Sequence, residues 1–168
     1  MTVLERIKTL LKEHHVDFHV ASHRPVYTSA EAAEVRGESL QSGAKALILK
    51  VDGGFAMFVL PGDRRMNSKR IRQAAGVKHI RFATPEEVEA LTGLTIGSIP
   101  PFGSLFGMRT FCDPSLEENE QINFNAGEHT VSIRMRYVDY VSVESPKVVE
   151  LAGAGSEARE MRNVKRET

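Results

Sequence analysis

The chain contains one cysteine, Cys112, so it can form no internal disulfide and a four-cysteine zinc site is excluded. Neither sign of charge is in excess: Lys and Arg sum to 22, and so do Asp and Glu. A balanced total neither favours nor forbids a polyanionic partner. The opening stretch MTVLERIKTLLKEHH mixes acids and bases and lacks the apolar core of a signal peptide, which makes the cytoplasm the expected location. No GxxxxGK[ST] phosphate loop, GxSxG elbow or internal repeat is present. What is there is a chain of 168 residues, 41% of them apolar, which suits one soluble globular domain.

Charge is also missing locally. From Leu91 to Met108 the sequence LTGLTIGSIPPFGSLFGM has no charged residue, four glycines and two adjacent prolines. A membrane-spanning helix needs about 20 mostly apolar residues. Here Pro100, Pro101 and the glycines would break such a helix repeatedly. The stretch reads as a long shaped loop, and long ordered loops in compact domains are usually functional.

Elsewhere the patterning is conventional. Leu4, Ile7, Leu10 and Leu11 recur at helical spacing. Phe18 opens a short strand, FHV, and Thr28 to Glu31 has capping-box form ahead of a helix ending at Gly37. KALILKV and FAMFVLP flank Asp52-Gly53-Gly54 as a hairpin. Asn67 or Ser68 caps KRIRQAA, HIRFA is a strand, and Thr84-Pro85-Glu86-Glu87 starts a helix that Gly93 closes. RTFCD, QINF and HTVSIRM are expected strands, and VSV at residues 141–143 is expected to close the sheet. From about Glu144 the chain reads as a peripheral tail, residues 144–168, frayed or helical. Helices and hairpin-linked strands mix without regular βαβ alternation, giving an α+β (mixed α/β) class in a single domain.

Several side chains stand out chemically. Lys45, Leu47, Leu49 and Val51 share one strand face, so Lys45 places a cation at the rim of an apolar surface. It is either a lysine snorkelling to water or a functional cation. By the same parity His129 heads a row with Val131, Ile133 and Met135, as a core histidine bonded to backbone or as a site residue. His15, His19 and His23 repeat every four residues, but their segment reads as extended and no cysteine ligands accompany them, so no metal is expected. Asp113 to Glu117 lacks the glycine of a calcium loop, and Cys112 reads as packing. Arg64, Arg65, Lys69, Arg70, Arg72, Lys78 and Arg81 form a run without an acid between them. That run is a solvated face or a local phosphate-binding surface.

Four stretches taken together resemble the YbaK/prolyl-tRNA synthetase-associated editing domain family: HRPVYTSAEAAEVRG, GAKALILKVDGGFAMFVLPGDRRMNSKRIRQAAG, ATPEEVEALTGLTIGSIPPFG and NFNAGEHTVSIRM. The resemblance covers residues 1–143. It implies a curved, partly barrel-like mixed sheet flanked by helices, and hydrolysis of the ester joining a wrong amino acid to a tRNA. It assigns the catalytic positions to Lys45, the family's strand lysine, and Gly97, which opens its GxxxP loop. Ser98, Ile99, Pro100, Pro101, Phe102 and His129 become the expected substrate-binding residues, and Arg64, Arg65, Lys69 and Arg70 the expected tRNA contacts. No cofactor is implied. The implied partners are the 3′ end and acceptor stem of an aminoacyl-tRNA, with a synthetase as a further one, and no membrane.

With no room for synthetase domains, the chain is expected to be free-standing and to act in trans. Ala46 stands where several relatives carry a polar residue, which leaves Ala, Ser, Thr and Cys as candidate amino acids. Two other readings stay open: a non-catalytic adaptor for tRNA ends or a synthetase, and a hydrolase of another small ester.

Overall fold

The computed structural model describes residues 1–153 and 165–166. Its helices are α1 (Val3–Glu13), α2 (Ser29–Arg36), α3 (Ser68–Ala75), α4 (Pro85–Thr92) and α5 (Tyr137–Glu144). Its strands are β1 (Phe18–Ser22), β2 (Ala44–Val51), β3 (Gly54–Pro61), β4 (Ile80–Phe82), β5 (Thr110–Cys112), β6 (Gln121–Asn125), β7 (Val131–Arg136), β8 (Lys147–Val148) and β9 (Lys165–Arg166).

Local chemistry accounts for most of the boundaries. Thr2, Thr28 and Thr84 each accept from the backbone N–H three residues on, while Glu5, Glu31 and Glu87 reach back to them. These reciprocal caps satisfy N–H groups that the first helical turn leaves without partners. Glu87 also takes a two-pronged bond from Arg81 of β4, at 2.7 and 2.9 Å. That bond and the backbone bond from Thr84 pull its carboxyl down to about 2.

The strands form two sheets. One has the order β1-β7-β6, antiparallel throughout, and the other the order β8-β5-β3-β2-β4-β9. In the second, β2 pairs antiparallel with β3 and β4, whereas β5 runs parallel to β3. Among the described residues the two sheets meet at a bridge between Gly43 and Asn123 and are not closed into a barrel. The class is α+β in one domain.

The β2–β3 hairpin is a wall with a core on each side. Ala44, Ile48, Met57 and Val59 face the larger cluster, with α1, β6, β7 and α5. Leu49, Phe58 and Leu60 face a smaller cluster built with α3, Phe111, Leu151 and Ala152.

Two expectations about the C-terminal part are corrected. VSV does not close a sheet but lies in α5, where Tyr137, Tyr140 and Glu144 recur at helical spacing and are buried, while Val138 stays exposed. Tertiary packing overrides the β preference of the valines: Tyr140 meets Phe102 edge-on at 5.3 Å and donates its hydroxyl to the Pro101 carbonyl at 2.7 Å. Nor does the chain become peripheral at residue 144. Lys147–Val148 pairs with β5, and Leu151 and Ala152 are buried. Of the rest of the expected tail, 165–166 pair with β4, and residues 154–164 and 167–168 lie outside the described residues.

Asp113 fastens this C-terminal crossing. Its Oδ2 accepts from the N–H groups of Leu151 and Ala152 at 2.7 and 2.8 Å, and its Oδ1 from Ser115. Burial pushes the carboxyl up, but these bonds outweigh it and hold the group below its ordinary range. A depressed carboxyl contributes stability that is complete above its unfolded pKa of about 3.9 and is lost as pH falls through the folded value. Asp113→Ala is expected to cost roughly 3 kcal/mol near neutrality by leaving two buried N–H groups unpaired. Urea unfolding should show the gap between variant and parent narrowing below about pH 4.

Candidate active site

A cleft of about 220 Å³ opens between the start of β2, helix α2 and the Leu91–Met108 loop. Its polar lining includes Lys45, Arg36, Asn125 and the backbone at Gly97, and no carboxylate lines it. The apolar lining is small near α2 and β2, with Ala32, Ala33, Ala44 and Ala46, and larger at Leu47 and Ile99.

Lys45 reaches the cleft from the second position of β2, opposite Leu60. Its Nζ donates to the Arg64 carbonyl. Burial first, then the nearby Arg65, push its pKa below the ordinary lysine value, against the pull of Asp63. An ammonium carries three donors, so the bond to Arg64 leaves capacity for a ligand oxygen.

Gly97 sits in the loop at φ +94°, a region that favours glycine. A side chain there would lie 3.4 Å from the His129 ring and 3.6 Å from the Tyr27 carbonyl. The Gly97 carbonyl accepts from Asn125 Nδ2 at 2.5 Å, and the Ser98 carbonyl accepts from the Gly127 N–H at 2.9 Å. The Ser98 N–H is taken by the Thr95 carbonyl at 3.2 Å. Among the described residues, the N–H groups of Gly97 and Ile99 have no acceptor.

His129 stands behind this loop, not at the head of a strand row. β7 starts at Val131, and His129 lies in the preceding turn. Its Nδ1 bonds the Val26 carbonyl at 3.0 Å and its Nε2 meets Thr95 Oγ1 at 2.8 Å. A carbonyl only accepts, so Nδ1 carries the proton and Nε2 can accept from Thr95. With both nitrogens engaged, the ring supports Gly97. Tyr27, 66% exposed, lies over it with ring centroids 4.5 Å apart.

The other expected site residues separate. Ile99 lines the cleft, but Ser98 turns its hydroxyl back to the Thr95 carbonyl at 2.8 Å. Pro100 and Pro101 are buried, and Phe102 is wholly buried against Phe124 and Tyr140. These three shape the loop from its core side.

In the basic run, Arg65 and Lys69 are exposed and Arg64 is half-buried. Arg70 donates to the Ala152 carbonyl and lies 3.7 Å from Glu150, while Arg81 is clamped by Glu87. Cys112 is buried and its thiol is pushed up to about 12 by burial and then by Asp113, so it is no thiolate nucleophile. Among the described residues no group of three or more His, Cys, Asp or Glu could hold a metal, and no helix is long and apolar enough to cross a membrane.

Sequence patterning alone missed Arg36, Asn125 and Tyr27. Arg36 is a basic residue in the last turn of α2, a placement the helix dipole already explains. Asn125 reads as a turn residue. Tyr27 has only its position just before a capping box.

Comparison with known proteins gives a consistent picture. The profile of the aminoacyl-tRNA editing domain matches residues 23–143. The multifunctional Ser/Thr-tRNA deacylase ProXp-y of Escherichia coli (strain K12) is 33% identical over 150 residues, covering 86% of this chain and 90% of that protein. A proline–tRNA ligase of Staphylococcus epidermidis is 34% identical over 76 residues, which are 45% of this chain and 13% of the ligase. A crystal structure proposed to be a trans-editing enzyme for prolyl tRNA synthetase superposes with a TM-score of 0.79 at 23% identity, covering 92% of this chain and 99% of that one.

Gly97→Ala tests the loop geometry directly. A non-glycine residue at this φ is expected to cost about 1–2 kcal/mol of unfolding free energy, read as a lowered urea midpoint.

Proposed function

The chain belongs to the aminoacyl-tRNA editing domain family, and from that premise we propose that it acts in trans, hydrolysing the ester of tRNAs mischarged with a small amino acid. The observation that carries this reading is convergence. Lys45 lines one cleft with Gly97 and Ile99, whose N–H groups have no acceptor among the described residues, and no carboxylate lines it. Such a site suits an electron-rich ester and the phosphates beside it.

The chemistry asks little of the protein. An aminoacyl ester is already activated, so its barrier is lower than that of an amide. No Ser–His or Cys–His pair lines the cleft. The attacking water is therefore assigned to the substrate's own terminal ribose hydroxyl for positioning. Lys45 orients the terminal nucleotide or the ester through charge-assisted hydrogen bonds. The N–H of Gly97 or Ile99 holds the ester carbonyl and stabilises the oxyanion that develops on it. His129 acts from behind, keeping Gly97 in place.

Small side chains are favoured by the alanine-rich lining. Within the set Ala, Ser, Thr and Cys, the similarity to a Ser/Thr-tRNA deacylase supports Ser and Thr first. Apolar walls separate such near-isosteres poorly, so more than one ester is expected to react. Acceptor-stem phosphates are assigned to Arg65 and Lys69, with Arg64 beside them. Arg70 is largely committed to Glu150 and Ala152.

A panel of tRNAs charged with Ala, Cys, Ser, Thr and Pro tests the reading. Ser- and Thr-charged tRNAs should be hydrolysed, and Lys45→Ala should lower kcat/KM by ~10²-fold, the loss expected when a group that orients the substrate is removed. Hydrolysis of none with tRNA still bound would favour an adaptor, and cleavage of simple esters without tRNA a different hydrolase. Because burial and Arg65 lower the Lys45 pKa, the enzymatic rate above the uncatalysed one should fall as pH rises through a value below the ordinary lysine value. Lys45→Arg should remove that fall.

Binding to tRNA should weaken with salt. Changing Arg65 and Lys69 together to Ala should reduce the slope of log affinity against log salt by about 2, one per lost phosphate contact. A slope unchanged in the double variant would remove these two residues from the interface.

A further inference from the structure

We propose that Asn125, held by Arg36, is a positioning residue that sets the plane of the Gly97–Ser98 peptide, from which the next peptide, carrying the Ile99 N–H, takes its position. The proposal rests on the deacylase reading above and specifies how that site is held.

The hydrogen-bond directions are forced. Arg36 Nη2 donates to Asn125 Oδ1 at 2.8 Å, and Asn125 Nδ2 donates to the Gly97 carbonyl at 2.5 Å. A guanidinium only donates and a carbonyl only accepts, so the amide has one workable orientation. Arg36 Nε donates to Ser132 Oγ at 2.8 Å, and Ser132 meets His23 Nε2 at 2.7 Å. His23 Nδ1 in turn meets the Arg24 carbonyl at 2.7 Å, so it donates there and Nε2 accepts from Ser132. Arg36 is thus fixed on two sides, one of them a serine that is 4% exposed. Burial lowers its pKa to about 10, which leaves it charged at neutral pH.

Peptide geometry carries the effect into the cleft. In a trans peptide the C=O and the next N–H point in opposite directions, and no cis peptide occurs among the described residues. Asn125 pulls the Gly97 carbonyl one way, so the Ser98 N–H points the other, to the Thr95 carbonyl. Two residues after Asn125, the Gly127 N–H takes the Ser98 carbonyl, which turns the Ile99 N–H away from Gly127. One short turn therefore grips two successive peptide planes. The Ile99 N–H, left without an acceptor among the described residues, is the donor this grip aims at the ester carbonyl.

Asn125→Asp is the discriminating variant. It keeps the shape and still accepts from Arg36, but it cannot donate to the Gly97 carbonyl. In Ser- or Thr-tRNA hydrolysis its kcat should fall ~10–100-fold, the loss expected from a misplacement of about an ångström. KM should rise by less than kcat falls, since the new carboxylate at the cleft lining opposes the substrate's phosphates but leaves Lys45 in place. Arg36→Gln should lower kcat in the same way, and the double variant should lose no more than the worse single one, since the two act in one chain. A loss that appears in KM instead, or additive losses, would overturn the positioning role.

Amide exchange by NMR, without tRNA, keeps this separate from the function itself. Asn125→Asp should speed exchange at Ser98 and Gly127 by ~10-fold or more, as local opening becomes easier by about 1.4 kcal/mol, while the Asp52–Gly54 hairpin turn is unchanged. Unchanged exchange at Ser98 and Gly127 would overturn the clamp whatever the activity. Faster exchange in a protein whose parent hydrolyses no charged tRNA would support the clamp and overturn the deacylase reading alone.

Discussion

The β2–β3 hairpin has apolar clusters against both faces, and much of the structure follows from that constraint. Alternation sends Ala44 and Ile48 one way and Leu49 the other, and β3 answers with Met57 and Val59 against Phe58 and Leu60. A strand buried on both sides has little room for an ion. Lys45 is tolerated because it stands at the end of the wall, where its ammonium finds the Arg64 carbonyl and the open cleft. The same burial that makes it costly depresses its pKa and sharpens its interaction with any anionic oxygen that enters.

The neutral loop is the counterpart of that lysine. It contains no charge, yet charged and polar groups from elsewhere hold it at many points. Glu144 of α5 accepts from Ser104 N and Oγ, at 3.1 and 2.5 Å, and Arg6 of α1 donates to the Leu105 carbonyl. Tyr140 takes the Pro101 carbonyl, and the Asn125–Gly127 turn takes those of Gly97 and Ser98. The loop contributes main chain, and the surrounding elements contribute the side chains that fix it. This division keeps ionised side chains off the loop's own part of the cleft lining, leaving charge there to Lys45 and Arg36.

Local signals in the sequence were enough to place the helix caps, the hairpin and the loop. Thr28 with Glu31, Thr84 with Glu87, and Gly37, Gly76 and Gly93 at αL helix ends act through bonds spanning a few residues. What could not be read depends on partners far along the chain. VSV is helical because Tyr140 finds Phe102 and Pro101, 38 and 39 residues earlier, and Glu144 finds Thr110, 34 residues earlier. Arg36 meets Asn125 across 89 positions and Ser132 across 96, contacts that no window of pattern contains. Family resemblance identified Lys45 and the GxxxP loop as the place to look. It did not distinguish residues that face the cleft, such as Ile99, from those that brace it, such as Phe102.

A loop that works through peptide N–H groups has an unusual mutational profile. No codon change deletes such a donor except one to proline, which lacks the N–H. At Ile99, which lines the cleft, the side chain can therefore change and reshape what fits while the N–H persists. Inheritance of the loop's geometry then depends on residues that never touch the reacting atoms, and changes that disable the loop would concentrate in the braces around it. Selectivity and catalysis are, in this arrangement, exposed to mutation at different addresses.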